Sequence, residues 1–159
     1  MKVLIISDTH GKHENLEKVL EMERPLDLVV HLGDAEGCED YIRDAADCPL
    51  LIVSGNSDFF SALEQEMECE IGNYKVLVTH GHYYYVNAGI EDIKREAEGR
   101  GCDIVMFGHT HRPLIDCGKN VIAINPGSLS YPRQEGKKPS YVIMEMEGGK
   151  DADFRICYL

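Results

Sequence analysis

Five short polar clusters hold most of the side chains able to do chemistry: Asp8-Thr9-His10-Gly11, Gly33-Asp34, Gly55-Asn56-Ser57-Asp58, Thr79-His80-Gly81-His82 and Gly108-His109-Thr110-His111. Each follows directly on an apolar run, the carboxyl end of a strand, where open α/β sheets place their sites. Asp8, His10, Asp34, Asn56, His80, His109 and His111 together offer seven oxygen and nitrogen donors and no thiolate. That is too many for one tetrahedral zinc and suits two metal sites sharing a carboxylate, the role given to Asp34. Asp8 and His10 are two apart, as are His109 and His111. In extended chain, residues two apart point the same way, so each pair is expected to face one metal centre. Thr9 and Thr110 would point away, and the adjoining glycines would let backbone pass close to ions or ligand.

Two divalent ions roughly 3.5 to 4 Å apart lower the pKa of a shared water and clamp phosphoryl oxygens during in-line displacement. The overall charge makes such a centre useful. Asp and Glu outnumber Lys and Arg by 28 to 16, a formal charge of −12, so the surface repels nucleic acid, anionic membrane and phosphate esters alike. Bound metal ions are a compact source of the local positive charge that phosphate then needs. Asn56 can hold metal through its carbonyl oxygen and donate to a phosphate oxygen through its amide nitrogen.

Other residues near the clusters have open readings. His82 either orients phosphate or supports His80. Arg112, directly after the last cluster, is a candidate phosphate contact, with Lys12 and Arg133 more distant ones. His31, inside a strand, reads as packed or as support behind a ligand, and His13 as a surface or capping residue. Asp58 either bonds a metal-binding histidine or forms a turn. Tyr83, Tyr84 and Tyr85 either pack or flank a substrate ring.

The runs 2–7, 28–32 and 50–54 are short, apolar and rich in branched residues, the pattern of buried strands. Leu16, Val19 and Leu20 recur at helical spacing between the first two, and 39–46 fills the next crossover. This β-α-β-α-β order favours parallel strands with right-handed crossovers. Three antiparallel pairs follow: 67–71 with 74–79 across Gly72-Asn73, 114–117 with 120–124 across Gly118-Lys119, and 140–147 with 153–158 across Gly148 to Asp151. A helix around Ile90, Ile93 and Ala97 and a strand at 104–107 lie between. The fold class is mixed α/β, with two packed sheets and helices outside.

A chain of 159 residues reads as one domain, 1–159, with a full core. Hydrophobic residues make up 43% and charged residues 28%, and no apolar run reaches the length of a membrane span. The opening run Met1 to Ile6 lacks a cleavage site and reads as a strand. The cysteines at 38, 48, 69, 102, 117 and 157 form no CxxC pair and are expected to be small buried hydrophobes in a reducing cytoplasm.

In the order DTH, GD, GN, HGH and GHTH, the motifs from Asp8 to His111 resemble the calcineurin-type metallophosphoesterase superfamily. Asn125-Pro126-Gly127-Ser128 with Tyr131-Pro132-Arg133 is further similar to its small bacterial and archaeal phosphodiesterase branch. The resemblance implies a four-layer αββα sandwich, with one metal on Asp8, His10 and His111, a second on Asn56, His80 and His109, and Asp34 bridging. It implies two divalent ions, manganese for choice, with iron, zinc, cobalt or nickel also suited. The implied partner is a small phosphodiester, with no long nucleic acid, no membrane and no stated oligomeric state. Ser57 stands where many relatives carry a histidine thought to protonate the leaving group. A serine hydroxyl is a poor acid at neutral pH, so aryl diesters are expected to outpace alkyl monoesters. Two alternatives accompany this reading: an interaction scaffold like the retromer subunit of the same fold, and a phosphomonoesterase using the same metals.

Overall fold

A computed structural model describes residues 1–148 and 151–159. The first half alternates strands and helices: β1 (Lys2–Ile6), α1 (Glu14–Glu23), β2 (Leu28–His31), α2 (Glu39–Ala46) and β3 (Leu50–Ile52). β4 (Glu66–Ile71), β5 (Tyr74–Thr79), α3 (Glu91–Gly99) and β6 (Ile104–Met106) follow, then β7 (Pro113–Cys117), β8 (Ile122–Pro126), β9 (Ser140–Glu145) and β10 (Asp153–Tyr158). The residues expected between the last two strands include 149 and 150, which lie outside the described residues.

Two five-stranded sheets result, ordered β10-β9-β1-β2-β3 and β4-β5-β6-β8-β7. β1, β2 and β3 are mutually parallel, as are β5, β6 and β8, while β9, β10, β4 and β7 join antiparallel. The parallel strands are apolar on both faces because both faces are covered. Val3 and Ile5 face a core between the sheets with Val30, Val78, Met106 and Val142. Leu4 and Ile6, one residue out of phase, face the helix layer, where they meet Leu16, Val19 and Leu20 of α1 and Ile42 of α2. On the outer face of the other sheet, α3 lays Ile93 and Ala97 against Leu77 and Val105. Two helices, two sheets and a further helix form the expected sandwich. Each fully buried aliphatic side chain contributes roughly 1.5 to 3 kcal/mol, so the central layer carries much of the stability.

Three local expectations need correction. The β7–β8 turn spans Gly118 to Val121, with Cys117 opposite Ile122, because Val121 is buried in the α3 layer and leaves the strand ladder. Only Cys102 among the six free cysteines is buried, and Cys117 is exposed. The apolar runs also outlast their strands by a residue or two, since the chain turns toward the site before its apolar character ends. His13 lies at the N-cap of α1 without a side-chain cap bond, its ring stacked 3.8 Å from that of Tyr41.

Candidate metal centre

The clusters lie just past the ends of β1, β2, β3, β5 and β6, and the backbone draws those ends together. Asp8 N donates to Gly33 O at 3.1 Å, His10 N to Asp34 O at 2.9 Å and Gly108 N to His80 O at 3.1 Å. Asp8, His10, Asp34, His109 and His111 all have positive φ, between 46° and 66°. This left-handed conformation is unfavourable for residues with a Cβ, and its concentration here marks a functional site. The backbone of both pairs is therefore not extended; Asp8 and His10 still share one candidate group, whereas His109 and His111 part. His111 turns toward His10, with their Nε2 atoms 3.4 Å apart, while the His109 ring lies 5.2 Å from that of His80. The two histidines therefore face different partners.

Candidate ligand atoms of Asp8, His10 and His111 lie within 4.8 Å of one another, and so do those of Asp8, Asp34 and His80. Asp34 Oδ2 is 3.8 Å from His10 Nε2 and 3.6 Å from His80 Nε2, between the two groups. His80 Nε2 is also 3.1 Å from Asn56 Oδ1. Asp34 is held by Ser57, whose N and Oγ donate to its two carboxylate oxygens at 2.8 and 3.0 Å.

The proton positions decide what this arrangement can bind. His80 Nδ1 donates to Leu32 O at 2.6 Å, and His111 Nδ1 to Tyr131 O at 2.7 Å. His10 Nδ1 faces Glu36 Oε1 at 2.7 Å. In the neutral tautomer each therefore turns an Nε2 lone pair inward. Inside, these lone pairs meet further acceptors: Asp8 Oδ1 is buried without a hydrogen-bond partner among the described residues, yet is 3.1 Å from His111 Nε2. Acceptors facing acceptors in a buried site are costly unless cations lie between them. The donor set thus fits two divalent ions, and the overlapping triads form a candidate binuclear centre.

The charge states are mixed: Asp8 and His111 favour a shared proton, whereas His109 and His82 favour the neutral form. Burial alone would raise the Asp8 pKa, but His111 and His80 outweigh it and lower it. Burial opposes protonation of His111, yet the Asp8 carboxylate and Tyr131 carbonyl raise its pKa. His109 and His82 are lowered by burial first and then by the neighbouring His80.

Supporting residues resolve several open readings. Asp58 forms a turn: it accepts from Asp34 N, Gly55 N and Glu36 N at 2.7 to 2.8 Å and joins two loops. His31 accepts from Gly33 N at its Nδ1 and faces Thr9 Oγ1 through Nε2 at 2.9 Å. Burial depresses its pKa to about 4, so it is a neutral brace. Glycine is required at Gly55 and Gly108, where an added Cβ would meet Asp34 Oδ1 and Ser7 Oγ respectively.

Sequence reasoning missed Glu36, which orients His10, and quoted Asn125 and Ser128 as part of a motif without giving them a role. Ser128 Oγ donates to Asp8 O at 2.8 Å and accepts from Ser130 N and Tyr131 N. Asn125 Nδ2 donates to Gly108 O at 2.7 Å. The Asn125-to-Ser128 motif is thus a strap beneath two ligand loops, and its signal was present as a polar cluster following another apolar run.

The remaining candidates are dispersed. His82 keeps a buried Nδ1 without a partner among the described residues, its ring 5.4 Å from His80 and 6.0 Å from His109. Arg112 is exposed and borders a separate cavity of about 240 Å³ beside Val86 and Asn125. Lys12 lies over the Tyr131 ring, 4.1 Å from its centroid. Tyr83 stacks on His82 at 4.0 Å, while Tyr84 bonds Glu66 at 2.7 Å.

Comparison with known proteins agrees with this geometry. A model of the calcineurin-like phosphoesterase superfamily domain matches residues 1–149. The probable metallophosphoesterase YsnB of Bacillus subtilis is 36% identical over 148 residues, spanning 92% of this chain and 85% of its own. Phosphodiesterase MJ0936 of Methanocaldococcus jannaschii is 27% identical over 145 residues, or 80% and 83% of the two chains. Among solved structures, a predicted phosphoesterase from Streptococcus pneumoniae superposes with a TM-score of 0.82 at 27% identity, covering 99% of this chain and 88% of that one.

Proposed function

The chain belongs to the calcineurin-like phosphoesterase superfamily and is a metal-dependent phosphoric ester hydrolase, and from that premise we propose that its substrates are small phosphodiesters. One metal is assigned to Asp8, His10 and His111, the other to Asn56, His80 and His109, with Asp34 shared. Manganese is the metal we favour, and iron, zinc, cobalt and nickel suit the same nitrogen and oxygen donors. When bound, two such ions activate water at neutral pH and neutralise charge on phosphoryl oxygens.

The observation that carries the assignment is the convergence of the His10, His80 and His111 ring nitrogens on the buried carboxylates of Asp8 and Asp34. Around that convergence, the chain's own residues have separable tasks. Asp8 and Asp34 supply fixed negative charge, and the outward nitrogen bonds of His10, His80 and His111 set ring orientation. Asn56, exposed at the rim, presents its amide nitrogen to a phosphoryl oxygen. His82, half-buried beside His80 and His109, is assigned to orient the phosphate. Arg112 is kept as an outer phosphate contact reached by side-chain movement.

A preference for acidic leaving groups, and so for aryl diesters over alkyl monoesters, follows from Ser57. Its hydroxyl donates to Asp34 Oδ2, which commits its proton and leaves a basic alkoxide without a donor there. Esters with acidic leaving groups avoid that requirement. Residues 1–159 are read as a single domain. A cytoplasmic location is supported by six free thiols, and among the described residues no helix is long and apolar enough to cross a membrane.

The test compares bis(4-nitrophenyl) phosphate with an alkyl monoester, glycerol 3-phosphate, by release of 4-nitrophenolate and of inorganic phosphate, using protein stripped of metal and reloaded separately with each candidate ion. Faster turnover of the diester, greatest with manganese, is expected. Asp34→Asn should abolish metal-dependent hydrolysis. Full activity in that variant would refute the shared-carboxylate assignment.

A further inference from the structure

Immediately beyond the Asn56-Ser57 loop, Phe59 is 83% exposed and Phe60 is fully exposed. Adjacent exposed phenylalanines are costly in water and usually mark a binding surface. They border a groove of about 820 Å³ with Glu36, Asp40, Arg43 and Ser57, a size suited to a small organic ligand. Two of its walls belong equally to the metal centre: Ser57 donates to Asp34, and Glu36 contacts His10. The groove is therefore one hydrogen bond from the candidate ligands, so a phosphoryl group at the metals would place an ester substituent within its reach.

Its chemistry selects the substituent. The phenyl rings offer stacking faces, Glu36 and Asp40 offer acceptors, and Arg43 offers a single cation. A second phosphate would meet carboxylates, whereas a planar ring with amino groups could stack and donate. We propose that this groove seats the ester substituent that is not expelled, and that it takes an aromatic, hydrogen-bond-donating ring without negative charge, such as adenine. The assignment rests on the phosphodiesterase reading and names the substrate class of that site.

The test uses two diesters that both expel 4-nitrophenolate, so leaving-group acidity cancels: adenosine 5′-(4-nitrophenyl) phosphate and methyl 4-nitrophenyl phosphate. Metal-loaded wild-type protein should prefer the adenosine ester in kcat/KM by about tenfold or more, the range of one base stacked on an aromatic side chain. Phe59→Ala and Phe60→Ala should reduce that preference severalfold through KM, with turnover of the methyl ester unchanged. Saturation-transfer NMR of adenosine with zinc-loaded protein should show contact at the base protons, weakened in the Phe60→Ala variant. An undiminished preference in both variants, an equal loss on both esters, or no transfer to the base in wild-type protein overturns the groove assignment. Base contact without turnover of either ester supports the groove and overturns the diesterase reading.

Discussion

The candidate ligand residues were legible one by one, but their conformations were not. Asp, His and Asn after apolar runs announce a metal site, whereas the left-handed φ of Asp8, His10, Asp34, His109 and His111 is imposed by contacts between loops distant in sequence. An argument from extended chain consequently grouped His109 with His111. Glu36 escaped notice for a related reason: an acidic residue two positions after Asp34 looks like surface charge until its carboxylate is placed 2.7 Å from His10 Nδ1. That contact gives a prediction. Outer hydrogen bonds to metal-binding histidines are typically worth 10- to 100-fold in affinity or activity. Glu36→Gln, which removes the negative charge facing His10, should weaken metal binding by roughly tenfold within that range, measured by competition with a chromogenic chelator. Unchanged affinity would mean that His10 is held adequately by Tyr131, whose ring meets it edge-on at 5.2 Å.

Elements were easier to read, because period and burial are local signals. Doubly buried β1 and the hairpin turning at Gly72-Asn73 follow from composition alone. The displaced start of β8 does not, since Val121 is taken from the ladder by its burial with α3, a tertiary effect. Ties between elements were equally hidden. Glu23, the last residue of α1, is 2.8 Å from Lys2 Nζ on β1 and accepts from Tyr141 Oη on β9 at 2.7 Å. Burial by itself would raise its pKa, but Lys2 and Tyr141 outweigh that and lower it from 4.5. With the folded pKa depressed, the stabilisation is present above the unfolded value and is lost as pH falls through the folded one. Glu23→Gln should therefore cost about 1 to 2 kcal/mol at pH 7 in urea unfolding. The gap from wild type should narrow steadily below pH 4.5. A gap independent of pH would assign the loss to packing.

At the scale of the molecule, the sandwich brings two sheets' strand ends together so that a chain of formal charge −12 gathers buried carboxylates and imidazole lone pairs in one place. Such a cluster opposes folding when no cation is present, because acceptors are buried against acceptors. An ion that binds the folded chain and not the unfolded one stabilises it by RT ln(1 + [L]/Kd), about 2.7 kcal/mol at a hundredfold excess over Kd. For a protein of this size each kcal/mol moves Tm by roughly 2 to 4 °C. Removing metal with a chelator should therefore lower Tm by about 5 to 10 °C, and manganese should restore it. Asp34→Asn separates this effect from nonspecific screening of the acidic surface: it removes one of the converging charges and leaves the rest of the surface unaltered. The metal-dependent part of the Tm shift should shrink in that variant, while the response to sodium chloride stays as in wild type. An equal metal response in both proteins would place the stabilising ions elsewhere on the acidic surface.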